Sequence, residues 1–493
     1  RGTMGVTSGK WYFEYTDGAT GSGSVGVATA GATSLVQDGM VGNSSQGWAV
    51  NNDGAKENGN SETAGYMASF TTGDVVSVAL NMDDGEITFY KNGSSAGVAF
   101  TNLGSKGAIY PAICTGSHSS NFDTLNFGQV DFAHTPPSGY KAWNSDNLPV
   151  PTIKNPTEHF VTTLWSGNDS SSPYGNQTVD TGMQVDMTWH KTRSHGVDHR
   201  IHDRLRTLNG NTDTGHIFPN LNNAEDNGAV NFDAWTSTGF TVKGNSNRAD
   251  GGARTYVSWN WKADGTGGAN SDGAQATVVS ANQTSGFSIV TGTGTGSATT
   301  YGHGLGVEPK IIITKARSAA DDWYFFTSAI DGIPYNTWQY NKLNTTNAFA
   351  SDSATADNTT TFTTTYANGT TFVAYCFADV PGFSQFGIYE GSGSSNGPHK
   401  NLNFKPAWLM IKKTSAGSGS WFIYDNKRNP HNVASTVLWA DTTNTDTTDN
   451  SYRLDMLSNG FKIRDTNTNY NASGVIYFYM AFAEAPFKYA NAR

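Results

Sequence analysis

The chain has 493 residues, which is enough for several domains. It contains 56 glycines and only 15% charged residues, a composition typical of short strands joined by tight turns. The formal net charge of −10 argues against nucleic-acid binding, which requires a basic surface. No run approaches the roughly 18 apolar residues of a membrane helix, so we expect no membrane insertion. Cys114 and Cys376 form no metal-binding or redox motif, and so few cysteines fit a reducing compartment.

The first part of the chain combines an alternating strand with a hairpin. GKWYFEY (9–15) alternates in the manner of a half-buried strand. Residues 74–93 carry two strong hairpin-turn signals, Asp84-Gly85 and Asn92-Gly93. Further strand-like pieces follow at Tyr110-Pro111-Ala112 and at Leu125-Asn126-Phe127-Gly128. These features predict an antiparallel β domain.

This order of motifs, over residues 9–132, resembles an SPRY domain. The resemblance implies a bent β-sandwich of concanavalin-like shape that binds partners through its loops and is not an enzyme. We assign residues 1–135 to this domain and expect it to lack its first one or two strands. Because Arg1 is not an initiator Met, we also expect the full gene product to continue upstream.

Prolines are concentrated after this domain. Pro136-Pro137 is followed by Pro149, Pro151 and Pro156. Proline at this density makes a stiff, extended connector. We therefore expect residues 136–157 to be a linker at a domain boundary.

An aromatic strand then recurs three times, as TYVSWNWKAD (255–264), TFVAYCFAD (371–379) and IYFYMAFAE (476–484). Each copy is preceded by an apolar strand that ends in basic residues or threonine, within 185–193, 309–317 and 406–414. Three unrelated aromatic strands are the alternative, but two matched elements in the same order favour tandem copies of one unit.

The predicted fold class is therefore all-β, with an N-terminal SPRY sandwich followed by three tandem related β-sandwich modules. We place repeat 1 at residues 158–264, a Gly-rich joint at 265–273, repeat 2 at 274–380 and repeat 3 at 381–493.

The connector PPSGYKAWNSDNLPVPTI, the stretch HGLGVEPKIIITKAR (303–317) and the TYVSWNWKA closing strand resemble structural proteins of tailed bacteriophages. The resemblance implies a virion protein made in the host cytoplasm, serving as a tail-fibre or appendage component for host attachment. It brings no catalytic residues. Its implied partners are other copies of the chain, expected as a homotrimer, other virion proteins, and a host-surface glycan or protein. A capsid decoration or head-fibre protein and a bacterial adhesin or filament subunit are the alternatives.

Four histidines crowd into one stretch of repeat 1: His190, His195, His199 and His202. Imidazole suits Zn, Fe or Ni. The corresponding stretches of repeats 2 and 3, residues 313–326 and 411–424, contain no histidine. We therefore expect no metal and no cofactor, and keep these four residues as the alternative. The neighbouring Arg200, Arg204 and Arg206 could contact an anion, but surface ion pairs with nearby aspartates are favoured.

No motif of a catalytic site is present, so we expect a non-enzymatic protein. Asp83, Asp84 and Glu86 could suggest the paired acids of a glycan depolymerase. However, they lie at a hairpin turn, and adjacent strand residues point to opposite faces.

Loop aromatics are the remaining candidates for ligand binding. The stretch GIPYNTWQY (332–340) is predicted to be a loop. Tyr335, Trp338 and Tyr340 would there stack on a sugar or contact another subunit. Packing over the end of a sandwich is the alternative.

Overall fold

Short alternating segments of the sequence form strands in the computed structural model, nearly all of them paired antiparallel, so the all-β class is confirmed. The structure describes residues 2–18, 23–29, 32, 40–115, 122–167, 176–206, 215–226, 232–243, 254–330, 338–352, 357–415 and 419–490. Within these ranges no helix is long and apolar enough to cross a membrane. The chain divides into an N-terminal unit, Arg1–Val150, and a second unit, Pro151–Arg493.

Two sheets form the N-terminal unit. Its strands are β1 (Lys10–Thr16), β2 (Ser24–Thr29), β3 (Gly47–Asn51), β4 (Lys56–Asn58), β5 (Ser61–Thr63), β6 (Val75–Asn81), β7 (Glu86–Lys91), β8 (Ser94–Phe100), β9 (Ile109–Cys114), β10 (Thr124–Asn126) and β11 (Lys141–Ala142). One sheet has the order β10-β1-β6-β7-β8 and the other β5-β4-β3-β2-β9. Their apolar side chains meet in one core.

Both predicted hairpin turns are confirmed. Asn81 pairs with Glu86 around the Asp84-Gly85 turn, and Lys91 pairs with Ser94 around the Asn92-Gly93 turn. Asn92 and Gly93 both have positive φ, +47° and +82°. This is the backbone of the hairpin turn that matches strand twist, and Asn-Gly adopts it at low cost.

The segment expected to be a linker, residues 136–157, differs from that expectation. Its β11 pairs in parallel with β1, and Trp143 is buried against Trp11 and Phe13. The number of prolines predicts an extended segment, but it does not reveal that the residues between the prolines add a strand to the sheet and a tryptophan to its core. This part of the segment belongs to the N-terminal unit.

The second unit contains three sets of strands. Repeat 1 has β12 (Phe160–Ser166), β13 (Asn176–Asp180), β14 (Met187–Thr192), β15 (Arg200–Asp203), β16 (Phe232–Trp235), β17 (Gly239–Lys243) and β18 (Thr255–Trp261). The joint and repeat 2 have β19 (Gly268–Asn270), β20 (Thr277–Asn282), β21 (Phe287–Thr293), β22 (Thr299–Gly302), β23 (Ile311–Ala316), β24 (Tyr324–Thr327), β25 (Trp338–Lys342), β26 (Ala350–Asp352), β27 (Thr361–Thr364) and β28 (Thr371–Phe377). Repeat 3 has β29 (Ser384–Glu390), β30 (His399–Asn401), β31 (Phe404–Lys413), β32 (Phe422–Asp425), β33 (Thr436–Trp439), β34 (Thr447–Thr448), β35 (Leu454–Leu457), β36 (Gly460–Ile463) and β37 (Ile476–Pro486). A helical turn, α1, spans Thr468–Asn471, and 3₁₀ segments span Val41–Asn43, Leu103–Lys106, Ser145–Asn147, Pro156–Glu158 and Phe487–Tyr489.

One strand order recurs in the three repeats. The main sheets contain β12-β18-β14-β15, β21-β28-β23-β24 and β29-β37-β31-β32. In each, the aromatic closing strand lies between the first strand and the apolar strand. Smaller sheets accompany them, β13-β17-β16, β22-β27 and β30-β36-β35.

The three main sheets share a single core instead of forming separate sandwiches. Trp261 of repeat 1 contacts Phe377 of repeat 2 and Trp408 and Phe482 of repeat 3, with ring centroids 5.6–6.2 Å apart. One contiguous buried cluster includes side chains from every repeat. Alternation within a strand defines its apolar face but not which sheet covers that face.

Contacts between the repeats run in cyclic order. Each apolar strand carries a fully buried lysine, Lys191, Lys315 or Lys412. Its ammonium donates to a loop carbonyl of another repeat. Lys191 reaches Thr443 of repeat 3 (3.2 Å), Lys315 reaches Asn222 of repeat 1 (3.4 Å) and Lys412 reaches Thr345 of repeat 2 (3.5 Å). The three repeats therefore form one closed unit.

Candidate functional site

An open cleft of about 650 Å³ lies on the N-terminal unit. Strands β3, β4 and β8 and the Leu103–Lys106 segment form it. Its lining comprises Ser45, Trp48, Lys56, Asn58, Val98, Ala99, Phe100, Thr101, Asn102 and Lys106. We refer to this feature as the N-terminal cleft.

Lys56 is fixed at one wall of the N-terminal cleft. Its ammonium donates to the carbonyl of Ala99 at 2.7 Å and lies 5.4 Å from the ring centroids of Tyr66 and Phe100. Aromatic faces attract cations, so this side chain is positioned in advance. The Tyr66 hydroxyl donates to the carbonyl of Gly97, and burial raises the pKa of its phenol.

The rest of the lining combines apolar and polar groups. Trp48 is 5% exposed, whereas Val98 on β8 is 46% exposed. The Asn58 amide donates to the carbonyl of Gly47 at 2.7 Å, which holds β4 against β3. Lys106 is exposed on its 3₁₀ segment. The cleft thus offers a ligand an exposed apolar side chain, Val98, and two cations, Lys56 and Lys106.

Among the described lining residues, none is an aspartate, glutamate or histidine. The described lining therefore contains no carboxylate and no imidazole. Two ammonium groups without a lining carboxylate favour a ligand with carboxylates or exposed carbonyl oxygens. This chemistry suits binding.

The acidic residues considered for catalysis have structural roles. The Asp83 carboxylate accepts from the backbone N–H of Gly9 at 2.6 Å, and Asp84 accepts from the Asn81 amide at 2.5 Å. The first bond ties the turn between β6 and β7 to the residue before β1, and the second lies within the turn itself. The structure thus uses these acids to hold a turn together.

Three of the four histidines of repeat 1 are buried, in two different places, and the fourth is at the surface. His190 and His202 stack with ring centroids 5.3 Å apart. His199 accepts from the Trp189 indole at 3.0 Å, and its Nε2 lies 2.9 Å from the Trp439 carbonyl. His195 is exposed and bonds to its neighbour Ser194.

Burial governs the charge of these rings. It lowers the pKa of His190 to about 3 and moves the pKa values of His199 and His202 well below the usual range. The three rings are therefore neutral at neutral pH. Within the described ranges no group of three or more His, Cys, Asp or Glu side chains has an arrangement that could hold a metal ion.

The arginines expected in surface ion pairs are largely buried. Arg206 has a fully buried side chain that pairs with Asp203 at 2.5 Å and Glu225 at 2.7 Å. Arg204 pairs with buried Asp186 at 2.7 Å. The prediction of pairing is confirmed, but the prediction of surface location is wrong because other segments of repeat 1 surround both side chains.

The aromatic candidates do not come together on one loop. Tyr335 lies outside the described residues. Trp338 begins β25 and is 4% exposed, and Tyr340 packs on Phe326 with centroids 6.3 Å apart. The predicted loop is therefore wrong over 338–340, where β25 pairs with β24 and β26. Trp338 belongs to a core cluster, so its ring is not displayed to a ligand.

Sequence reasoning missed Lys56, Trp48, Val98 and Lys106. They share no motif. Strands β3 and β4 of one sheet and β8 of the other sheet bring them to one cleft. The SPRY-like pattern indicated the sheets but not the side chains at their edges.

In comparisons with known proteins, two different families match the two units. The family described as "Domain of unknown function (DUF7483)" matches residues 155–486, and the SPRY domain family matches residues 10–129. The SPRY resemblance is thereby confirmed. The crystal structure of the SPRY domain of human HERC1 aligns with 26% of this chain and 81% of its own, at 24% identity and a TM-score of 0.23.

Curated relatives match a limited part of the chain. The ATP-dependent RNA helicase Ddx1 of Drosophila melanogaster is 34% identical over 144 residues, which are 28% of this chain and 18% of the helicase. The E3 ubiquitin-protein ligase RKP of Arabidopsis thaliana is 33% identical over 140 residues, 28% of this chain and 10% of the ligase. Ran-binding protein 9 of Xenopus laevis is 35% identical over 80 residues, 16% of this chain and 14% of that protein. The chain thus spans less than a fifth of these relatives.

Proposed function

Because the chain belongs to the DUF7483 family and carries an SPRY domain ahead of that region, we propose that it is a non-enzymatic binding protein. Its SPRY domain recognises an acidic or carbonyl-rich segment of a partner protein. The observation that carries this proposal is the N-terminal cleft, with Lys56 held over two aromatic rings and an exposed Val98 beside it.

The biological setting in this proposal is a bacteriophage virion, where the chain serves as a tail-fibre or appendage component for host attachment. The motifs of residues 303–317 and 255–263 support this setting by resemblance. The curated relatives named above are eukaryotic and match only part of the chain. A capsid decoration protein is the alternative within the same setting.

Immunogold labelling of purified particles tests the setting. Gold at the tail or baseplate is the expected result. Gold spread over the capsid would replace host attachment with particle decoration. Gold on host filaments without labelled particles would contradict the virion assignment.

Charge reversal tests the cleft. The variant Lys56→Glu with Lys106→Glu should weaken binding of the purified full chain to host cells by at least about tenfold, because each lost ion-pairing contact at an interface costs on the order of 1 kcal/mol or more. Flow cytometry with labelled protein measures this change. The control is Lys141→Glu, which reverses an exposed lysine of the same unit outside the cleft. Equal binding by the cleft variant and the control would overturn the proposed role of the cleft.

The homotrimer expected from the virion resemblance is part of this proposal. Light scattering on the purified chain should give three times the chain mass of 52.6 kDa. A mass equal to one chain would contradict it.

A further inference from the structure

One kind of hydrogen bond recurs at every joint between the repeats of the second unit. In each repeat, the buried aromatic residue directly before β15, β24 or β32 bonds through a ring nitrogen to a backbone carbonyl of another repeat. We call these three contacts the joint bonds. They link His199 to Trp439 (2.9 Å), Trp323 to Phe218 (2.7 Å) and Trp421 to Lys342 (3.3 Å). The joint bonds thus follow the same cyclic order as the buried lysines.

The joint bond of repeat 1 requires a neutral imidazole. The Trp189 indole donates to Nδ1 of His199 at 3.0 Å, so this nitrogen carries no hydrogen. Nε2 therefore carries the only ring N–H and donates it to the Trp439 carbonyl. A second proton could bind only at Nδ1, where the new N–H would face the indole N–H. Protonation of His199 therefore breaks the bond from Trp189 and leaves a buried cation.

The other two joint bonds do not respond to acid. Trp323 and Trp421 use an indole N–H, which is a donor only and has no basic nitrogen. The matching residue of the apolar strand also differs. Trp189 on β14 holds the place of Ile313 on β23 and of Met410 on β31, each two residues before the buried lysine. Repeat 1 thus has the large ring on the strand and the smaller, titratable ring at the joint.

A pair of buried histidines is also confined to repeat 1. His190 and His202 stack on each other, and His202 stacks on Phe232 of β16 with centroids 4.6 Å apart. Thr314 and Phe326 hold the two places in repeat 2. Among the described residues, neither ring nitrogen of His190 has a hydrogen-bond partner. A proton on His190 would therefore be buried without an acceptor.

The charged groups around the three rings oppose a positive charge on them. Burial is the main cause of their lowered pKa values, followed by neighbouring histidines and by four cations: Lys191 and Arg428 near His199, Arg200 near His190 and His202, and Arg206 near His202. The carboxylates on neighbouring elements have partners: Asp203 and Glu225 pair with Arg206, Asp425 and Asp446 with Arg428, Asp226 faces His216, and Asp198 accepts from the Asn220 amide. Each of these carboxylates would have to leave its present partner to neutralise an imidazolium.

We propose that repeat 1 is an acid-sensitive latch on the second unit. In mildly acidic solution the three histidines of the latch, His190, His199 and His202, take up protons. The joint between repeats 1 and 3 then opens, and the core shared by the three repeats meets water. Among the described residues of the N-terminal unit no histidine is buried, so that unit stays folded in the same solution. The latch thus makes one unit of the chain respond to acid while the other keeps its structure.

Proton linkage gives the direction and the size of the effect. An exposed histidine has a pKa of about 6.5, whereas burial lowers the pKa of His190 to about 3 and those of His199 and His202 well below the usual range. Between these limits the open form binds more protons than the closed form, so stability is complete above about pH 6.5 and decreases as the pH falls. Each ring should raise the equilibrium constant for opening about 25-fold between pH 7 and pH 5, and the three together on the order of 10⁴-fold.

The test follows the full chain from about pH 7 to about pH 4.5, the range in which an exposed histidine takes up its proton. Urea denaturation read by tryptophan fluorescence gives the equilibrium constant for opening, and hydrogen exchange, corrected for the intrinsic rate, shows which strands open. Strands β14, β15 and β33 should lose protection at a higher pH than β1 and β6. His199→Gln keeps one donor and one acceptor but takes up no proton, so it should reduce the pH effect about 25-fold.

Two further variants copy the residues of repeat 2. His199→Trp with Trp189→Ile should give the same reduction, and it replaces His199→Gln as the test if that variant does not fold. His190→Thr with His202→Phe should reduce the pH effect about 600-fold, because two rings are removed. Comparison with the wild type cancels other groups that titrate in this range, including buried His303 and Asp379.

His195→Gln is the matched control, because His195 belongs to the same stretch of repeat 1 and is exposed. It should leave the pH dependence unchanged. Three results would overturn the proposal. The first is an opening constant that rises equally with acid in the wild type and in the folded variants of the latch. The second is loss of protection in β1 and β6 before β14 and β15. The third is an equal reduction in the His195→Gln control.

Discussion

Arg206 and Arg428 occupy equivalent positions in repeats 1 and 3, and both side chains are fully buried. Arg428 pairs with Asp425 at 2.6 Å and with Asp446 at 3.1 Å, and it donates to the carbonyl of Ile423. Asp446 also pairs with Arg193 of repeat 1 at 2.6 Å. A buried charge is tolerated only when its hydrogen-bonding capacity is used, and this network meets that condition.

Replacing Arg428 should strongly destabilise the second unit. Arg428→Met leaves the buried carboxylate of Asp425 without its ion-pair partner. Removing one partner of a buried pair typically lowers the free energy of unfolding by about 3–5 kcal/mol. Urea denaturation followed by tryptophan fluorescence measures this change.

The control for this substitution is Arg453→Met. Arg453 faces Asp465 at 3.6 Å, and its side chain is 40% exposed. Exposed pairs of this kind contribute about 0–1 kcal/mol. If Arg428→Met costs no more than Arg453→Met, the buried network does not stabilise the unit.

A sequence signal for this network existed. An aspartate and an arginine three residues apart occur in both copies, as Asp203 and Arg206 and as Asp425 and Arg428. In repeat 2 the same places hold Thr327 and Ile330. The recurrence indicates a structural pair, but burial could not be predicted because Glu225 and Asp446, which complete the two networks, lie in loops distant in sequence.

The three apolar strands β14, β23 and β31 each carry a lysine that joins two repeats. Burial lowers the pKa of Lys191, Lys315 and Lys412 to about 8. An unfolded lysine retains its proton up to about pH 10.5. The unfolded chain therefore binds more protons than the folded chain between about pH 8 and pH 10.5, and these lysines contribute stability that rises with pH in that window.

Lys412→Met should remove one such contribution. Between pH 7 and pH 9.5, the free energy of unfolding of the wild type should increase relative to that of Lys412→Met by about 2 kcal/mol. Taking the difference between the two proteins cancels the other titrating groups, including Cys376, whose pKa burial raises. Urea denaturation at several pH values gives the two curves.

Lys413→Met is the matched control, because Lys413 follows on the same strand and its side chain lies partly in water. The gap between wild type and this variant should stay constant with pH. A constant gap for Lys412→Met as well would contradict deprotonation of the buried amine in the folded state.

At the level of strands, the alternating sequence predicted β18, β28 and β37 correctly. What the alternation could not reveal is the partner of each face. Repeats 1 and 2 meet through Arg317 and Glu225, and repeats 3 and 1 through Arg193 and Asp446. Repeats 2 and 3 meet through Phe349, which packs on Phe325, Trp421 and Phe478. Two of these junctions thus use an arginine–carboxylate pair and the third uses aromatic packing, so the copies are alike at two junctions and differ at the third.

The largest buried cluster of each unit is the main feature of its architecture. One core lies within Arg1–Val150 and the other within Pro151–Arg493. The second core takes side chains from all three repeats, and in it Trp261 contacts both Phe377 and Trp408. The chain therefore consists of two compact units, although its sequence contains four similar-sized segments.

Division of the chain at different points should distinguish this arrangement from a string of independent modules. Fragments 1–150 and 151–493 should each unfold cooperatively, because each retains a complete core. Fragment 265–493 should lack a cooperative transition, because removing repeat 1 exposes the aromatic faces that Trp259 and Trp261 cover. Circular dichroism melting and NMR dispersion measure these properties. A sharp transition in fragment 265–493 would show that repeats 2 and 3 are stable without repeat 1, and that the shared core is an accumulation of contacts between modules able to fold alone.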